Sequence, residues 1–268
     1  MKNNAPIGVF DSGIGGLTVV KELIRKMPGE NLIYFGDTAR VPYGSRPVAE
    51  IKQFMDQILR FFVAQQIKLA VVACNTMTTV GLQEAVKRYP FPMVGMNTGV
   101  HRALQISRRQ HVGVIATEAT IAGGKHAAAA LAVNPQAQVF SQACPKFVPL
   151  IEQGRVKGPE IEAAAREYLL PMKEAGIDAL IIGCTHYSYI TPLISRIVGS
   201  EVALVDPAGE TTEDAYGLLE QEEQLSALTQ GTVRLCVSGD VLQADRMASL
   251  ALEPPLPQFK RIRLLDFP

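Results

Sequence analysis

Two cysteines occupy matching places in two halves of this chain. Residues 67–76, ending Ala73-Cys74-Asn75-Thr76, read against residues 177–186, ending Gly183-Cys184-Thr185-His186, at an offset of 110. Each segment is an apolar run that delivers a small residue, a thiol and then polar side chains. A thiol titrates near 8.5, so nearby donors or a base can let it give up and recover a proton at neutral pH. Two thiols in related half-sites suit chemistry that needs a proton carrier on each face of one substrate. An isolated buried cysteine is usually only a small hydrophobe; what sets Cys74 and Cys184 apart is the hydroxyl, amide and imidazole groups beside them. Cys144 and Cys236 lack such neighbours and read as structural. His186, two residues from Cys184, reads as its general acid or base partner.

Three further segments could serve such a pair. Asp11-Ser12-Gly13-Ile14-Gly15-Gly16-Leu17 follows an apolar run and opens a helix. Its glycines permit positive φ or close backbone approach, and its amides could hold an anion. The Gly-x-Gly-x-x-Gly spacing of dinucleotide sites is absent. Asp11 is the informative residue, because a carboxylate near a thiol can accept or relay its proton. The bland reading is a tight turn in which Asp11 or Ser12 caps the helix. Residues 37–46 form a polar loop with a Pro42-Tyr43-Gly44 turn, long enough to fold over a ligand. Its Arg40 and Arg46 read either as carboxylate clamps or as solvated side chains. Glu152 reads equally as a solvated helix residue or as a member of the site.

These side chains need elements to hold them. Apolar, β-branched runs at 7–10, 32–35, 69–73, 93–95, 112–115, 137–140, 179–182, 202–205 and 233–237 read as strands. Helical patterns lie between them, including 48–65, 78–88, 122–132, 160–174 and 211–225. This alternation predicts parallel, doubly wound sheets covered by helices, with ligands gathered at the carboxyl ends of the strands. The duplication extends beyond the cysteines. Ile7–Ser12 aligns with Val112–Thr117 at an offset of 105, and Glu50-Ile51 aligns with Glu160-Ile161 at 110. The expected fold is α/β, with two similar domains related by a pseudo-two-fold axis and the site in the cleft between them. Residues 1–97 plus 207–268 would form the Cys74 domain and residues 98–206 the Cys184 domain, with crossings near Asn97 and Asp206.

Composition narrows the class. The 268 residues carry 26 basic and 26 acidic side chains and no Trp. No net charge draws the chain to nucleic acid or an anionic membrane, and no apolar stretch is long enough to span a bilayer. The first strand begins too early to leave room for a secretory signal, so a cytoplasmic protein with reduced thiols is expected. No Cys-x-x-Cys pair marks a structural zinc site, and no metal is expected.

Taken together, the segments Gly8–Val19, Tyr34–Arg46, Ala73–Thr76, Cys144–Leu150 and Gly183–Tyr187 resemble glutamate racemase, a cofactor-independent member of the aspartate/glutamate racemase superfamily. The resemblance implies interconversion of L- and D-glutamate, which supplies D-glutamate for peptidoglycan, with no cofactor and in a homodimer. Carried over position by position, it implies Cys74 and Cys184 as the acid/base thiols. Asp11 would assist Cys74, while Glu152 and His186 would assist Cys184. Asp11, Ser12, Pro42, Tyr43, Gly44, Ser45, Asn75, Thr76, Thr117, Thr185 and His186 would line the substrate. Three positions depart from the family's usual pattern. Met77-Thr78-Thr79 follow the first Cys-Asn-Thr where small residues are usual, Ser188 replaces a common proline, and Ala116 replaces a glycine. Two other readings fit the residues: an aspartate racemase of the same superfamily, and a non-catalytic amino-acid-binding protein. A Cys-His hydrolase leaves the duplicated thiol unexplained.

Overall fold

The computed structural model describes residues 3–252 and 259–262. Ten strands are present among them: β1 (Ile7–Asp11), β2 (Leu32–Gly36), β3 (Leu69–Val72), β4 (Met93–Gly95), β5 (His111–Ala116), β6 (Gln138–Ala143), β7 (Ala179–Gly183), β8 (Ala203–Val205), β9 (Val233–Val237) and β10 (Phe259–Arg261). They form a six-stranded sheet of order β10-β9-β2-β1-β3-β4 and a four-stranded sheet of order β6-β5-β7-β8. Every pairing is parallel. All nine expected strands form; β10 is additional.

The repeat read from the sequence is reproduced in the strand register. The order β2-β1-β3-β4 matches β6-β5-β7-β8. In the first sheet Ile7 pairs with Leu69; in the second Val112 pairs with Ala179. Those pairs are related by the same offsets, 105 and 110, that align the two halves of the sequence. One residue of slip would turn each strand's side chains to the opposite face, so this agreement fixes which residues the two halves present to each other.

Helices cover the sheets because their apolar residues recur at helical spacing. The helix Val48–Ala64 starts after Pro47 and buries Ile51, Met55, Ile58, Leu59, Phe61 and Phe62. Its counterpart Pro159–Glu174 buries Ile161, Ala164, Ala165, Tyr168, Leu169 and Met172. Each leads into a cysteine-bearing strand segment. Two expected helices are interrupted. Residues 78–88 divide into Asn75–Val80 and Leu82–Ala85, with a turn at Gly81. Residues 122–132 divide into Glu118–Ala122 and Lys125–Val133, where Gly124 takes φ +64, a left-handed conformation that glycine adopts without steric cost. The helix expected at 211–225 runs instead over Ala208–Gln221.

The chain crosses between the sheets after β4 and again after β8. The crossings are tied to each other: the Asn97 amide donates to Thr211 Oγ1 at 2.9 Å and its side chain to Asp214 at 2.8 Å. No described helix is long and apolar enough to cross a membrane.

Candidate active site

Strands β1, β3, β5 and β7 deliver the candidate residues from their carboxyl ends, as open parallel sheets do. Strand β1 ends on Asp11 and β5 leads into Thr117; β3 and β7 lead into the two thiols. The cysteines have nearly the same backbone, φ −139°, ψ 117° at Cys74 and φ −152°, ψ 127° at Cys184. Each is the last extended residue before a helical turn, Asn75–Val80 after Cys74 and a 3₁₀ turn, Thr185–Ile190, after Cys184. The matched sequence positions are therefore matched structural positions.

Asp11 joins the two halves. It is fully buried. Its Oδ1 accepts from the Ser12 amide at 2.7 Å and its Oδ2 from the Gly16 amide at 2.8 Å. From the second half, Thr185 Oγ1 donates to Asp11 Oδ2 at 3.5 Å and His186 Nδ1 lies 3.8 Å from it. Burial raises the Asp11 pKa above the ordinary carboxylate value, against the opposing pull of His186 and the two amides. The glycine loop after Asp11 works by close approach. A Cβ at Gly13 would lie 1.8 Å from Glu152 Oε1, and one at Gly15 would lie 2.5 Å from His186 Nδ1. None of Gly13, Gly15 and Gly16 has positive φ. Neither Asp11 nor Ser12 caps the helix Leu17–Lys26, whose N-cap is Gly16.

Around Cys74 the surroundings are hydroxyl-rich. Its Sγ lies 3.9 Å from Ser12 Oγ. Burial, then the Asp11 carboxylate, push the Cys74 pKa well above the usual thiol value, and Cys184 adds to that rise. Thr76 Oγ1 and Thr117 Oγ1 are 2.8 Å apart, linking the two halves, and Thr120 Oγ1 lies 3.3 Å from Thr76 Oγ1 and 3.0 Å from Thr117 Oγ1. Asn75 is buried, and its Nδ2 has no hydrogen-bond partner. A buried donor left unpaired costs free energy unless a ligand or water satisfies it, and Asn75 has such a donor to offer.

Around Cys184 the groups are ionisable. His186 Nδ1 lies 4.0 Å from Cys184 Sγ, and His186 Nε2 lies 2.6 Å from Glu152 Oε1. Glu152 Oε1 also accepts from the Ile14 amide of the first half at 2.9 Å. Burial works against a charged imidazole here, but Cys184, Glu152 and Asp11 outweigh it and hold the His186 pKa well above the ordinary histidine value. His186 is thereby favoured as an imidazolium between a carboxylate and a thiol.

The 37–46 loop closes one side. The Tyr43 hydroxyl donates to buried Asp37, which also accepts from Arg40 Nε and from Ser238 Oγ, each at 2.6 Å. The Gly44 carbonyl accepts from the Ala119 amide at 3.0 Å, tying the loop to the second half. Pro42 and Gly44 are partly buried and Ser45 is exposed. Both arginines have partners in the loop. Arg40 donates to Asp37 through Nε and to Gln57 through Nη1 and lies over the Phe54 ring at 3.9 Å, while its Nη2 is buried without a partner; Arg46 pairs with Glu50 at 2.6 Å. Both hold the loop in place. The bland reading of Glu152 as a solvated residue is likewise overturned, since it is buried on His186. Cys144 and Cys236 are buried free thiols.

Sequence reasoning passed over Thr120. Its signal is the Thr117-x-x-Thr120 spacing at a helix start, where the Thr117 hydroxyl accepts from the Thr120 amide. No described group of three or more His, Cys, Asp or Glu side chains is arranged to hold a metal ion.

Comparison with known proteins identifies the family. The Asp/Glu/Hydantoin racemase family model matches residues 7–215. Glutamate racemase of Desulforudis audaxviator (strain MP104C) is 47% identical over 210 residues, 78% of this chain and 77% of that protein. Glutamate racemase of Shouchella clausii (strain KSM-K16) is 41% identical over 268 residues, 94% of this chain and 96% of that protein. The crystal structure of glutamate racemase from Francisella tularensis subsp. tularensis SCHU S4 in complex with D-glutamate matches with a TM-score of 0.89 at 36% identity, covering 98% of this chain and 99% of that one. The chain, with two thiol half-sites interlocked through Asp11, Glu152 and His186, belongs to the Asp/Glu/hydantoin racemase family, among the glutamate racemases.

Proposed function

We propose that this protein interconverts L- and D-glutamate by moving a proton at Cα between Cys74 and Cys184. The observation that carries the reading is the pair of matched cysteines, at equivalent ends of β3 and β7, each with its own set of polar partners. Removing an α-proton beside a carboxylate builds negative charge on an already anionic molecule. A protein without an electron-sink cofactor must meet that charge with fixed donors in a site closed to water. The unpaired Asn75 amide and the Thr76, Thr117 and Thr185 hydroxyls are suitable donors.

In one direction Cys184, as thiolate, takes the proton from one face. Cys74, held as a thiol by burial and Asp11, returns a proton to the other. The His186 imidazolium holds the charge of the Cys184 sulfur or supplies its proton, and Glu152 keeps the ring oriented. The roles exchange in the reverse direction, with Asp11 able to receive the Cys74 proton. A single acid/base group contributes roughly 10²- to 10⁴-fold to such a reaction, so losing either thiol should remove racemisation while leaving substrate binding. We take residues 1–97 with 207–268 and residues 98–206 as the two domains, because each carries one sheet. The homodimer, the cytoplasmic setting and the supply of D-glutamate to peptidoglycan follow from the resemblance and belong to the same proposal.

The test is the circular dichroism of L-glutamate, and separately L-aspartate, with purified protein and no added pyridoxal phosphate. The glutamate signal should decay to zero, and Cys74→Ala and Cys184→Ala should each stop the decay. Decay with aspartate alone would move the substrate within the family. Binding with no decay of either would make the protein an amino-acid-binding module.

A further inference from the structure

The helix Val241–Ala251 lies beyond the stretch that the racemase family model matches, and no motif of the sequence reading falls on it. It nevertheless reaches the active site through one side chain. Gln243 Nε2 donates to the main-chain carbonyl of Glu152. Glu152 is the last residue of the helix Phe147–Glu152, where carbonyls have no intrahelical partner. Its carboxylate, one side chain away, accepts from Ile14 and touches His186.

Gln243 is well placed to act as a fixed brace. Asp240 caps its helix, accepting from the Leu242 amide at 2.8 Å. The segment before it is pinned to the 37–46 loop: Gly239 donates to Thr38 Oγ1 at 3.0 Å, and Ser238 Oγ donates to Asp37 at 2.6 Å. On the inner face of the helix Ala244, Met247 and Ala248 are buried. Between this helix and the Phe147–Glu152 helix lies a cavity of about 250 Å³, bounded by Ile14, Pro42, Val148, Glu152 and Gln243 among others. Side chains bordering a void lose packing contacts on that side. On the cavity side Glu152 is therefore held by directed hydrogen bonds, while Gly13 packs against its carboxylate from the other side.

We propose that Gln243 is a positioning residue for the reaction, fixing Glu152 so that its carboxylate holds His186 toward Cys184. The proposal rests on the reading of Cys184 as a proton carrier. Its effect belongs in the rate of proton transfer and not in substrate affinity, because Gln243 is two residues removed from the thiol.

Gln243→Met keeps the length of the side chain and removes the donor; Gln243→Lys restores a donor on a flexible stem. Both are compared with wild type and Glu152→Gln in steady-state racemisation and thermal unfolding. Gln243→Met should lower kcat about fivefold, the scale of one hydrogen bond, with KM within about twofold and an unchanged Tm. Gln243→Lys should recover most of the loss. A Gln243→Met kcat equal to wild type would overturn the proposal. A loss that Gln243→Lys does not recover, or one accompanied by a lowered Tm, would also overturn it, because a purely structural cap behaves that way. Wild-type activity with an unaffected Glu152→Gln would remove the relay itself, whereas an inactive wild type would overturn the functional reading beneath it.

Discussion

At Cys74, burial and the Asp11 carboxylate act in the same sense, both opposing ionisation of the thiol. At the opposite wall the His186 imidazole lies beside Cys184, with the Glu152 carboxylate on its other nitrogen. The two half-sites are thus alike in backbone and unlike in charge. This difference was only partly legible in the sequence. The repeat located both thiols, and the Cys184-Thr185-His186 spacing located the imidazole. Glu152 was ambiguous because its partners, Ile14 and His186, are 138 and 34 residues away. Thr120 was missed because the Thr117-x-x-Thr120 spacing reads as an ordinary helix cap; its further partner is Thr76, 44 residues away. Thr120→Val keeps the shape and removes the hydroxyl from the Thr76–Thr117–Thr120 cluster. Its KM for glutamate should rise about fivefold, the scale of one hydrogen bond, with kcat within about twofold. Steady-state kinetics with both enantiomers would check this, and an unchanged KM would place the hydroxyl outside the binding surface.

At the scale of elements, the central strands β1, β2, β3 and β7 were legible because each is a buried, mostly apolar run. Strand β10 was not, since two of its three residues are exposed and it forms only by pairing with β9. Helix breaks at Gly81 and Gly124 were also hidden, because apolar spacing continues across them. The Gly13–Gly16 loop was legible as a glycine loop, but not for its actual use, which is contact with the other half. Gly13→Ala would drive a methyl group into Glu152 Oε1, 1.8 Å from the ideal Cβ. Glu152 would have to leave either Ile14 or His186, so kcat/KM should fall by about tenfold or more, as for a lost hydrogen bond to a charged group. By contrast Gly217, exposed within the helix Ala208–Gln221, has no atom within 4 Å of its ideal Cβ. Gly217→Ala should raise stability by up to about 1 kcal/mol and leave activity alone. Paired melting curves and rates for the two variants separate a loop that must admit the opposite half from a glycine of no structural use.

Across the whole molecule two histidines are buried in different settings, His186 in the candidate site and His126 away from it. His126 is buried in the second half, and its Nε2 has no hydrogen-bond partner. Burial, with a smaller contribution from Lys125, lowers its pKa to about 4 from 6.5. Folded protein therefore binds fewer protons at this site than the unfolded chain does between those values. The stabilisation is complete above pH 6.5 and declines as the pH falls toward 4, by roughly 3 kcal/mol in all. Denaturant unfolding of wild type and His126→Gln should show this slope in wild type only; equal slopes would contradict it. The overall architecture was legible because it is a duplication, and duplicated offsets survive in the strand registers. The central claim built on it is the proposal that each thiol serves one face of the substrate. The most direct measurement follows solvent deuterium during early turnover in deuterated water, starting from each enantiomer of glutamate in turn. With a separate proton carrier on each face, the newly formed enantiomer should carry deuterium at Cα from the outset, while recovered starting material stays protonated. Product that retains the original proton, or deuterium entering product and starting material together from the first turnovers in both directions, would contradict the two-thiol account.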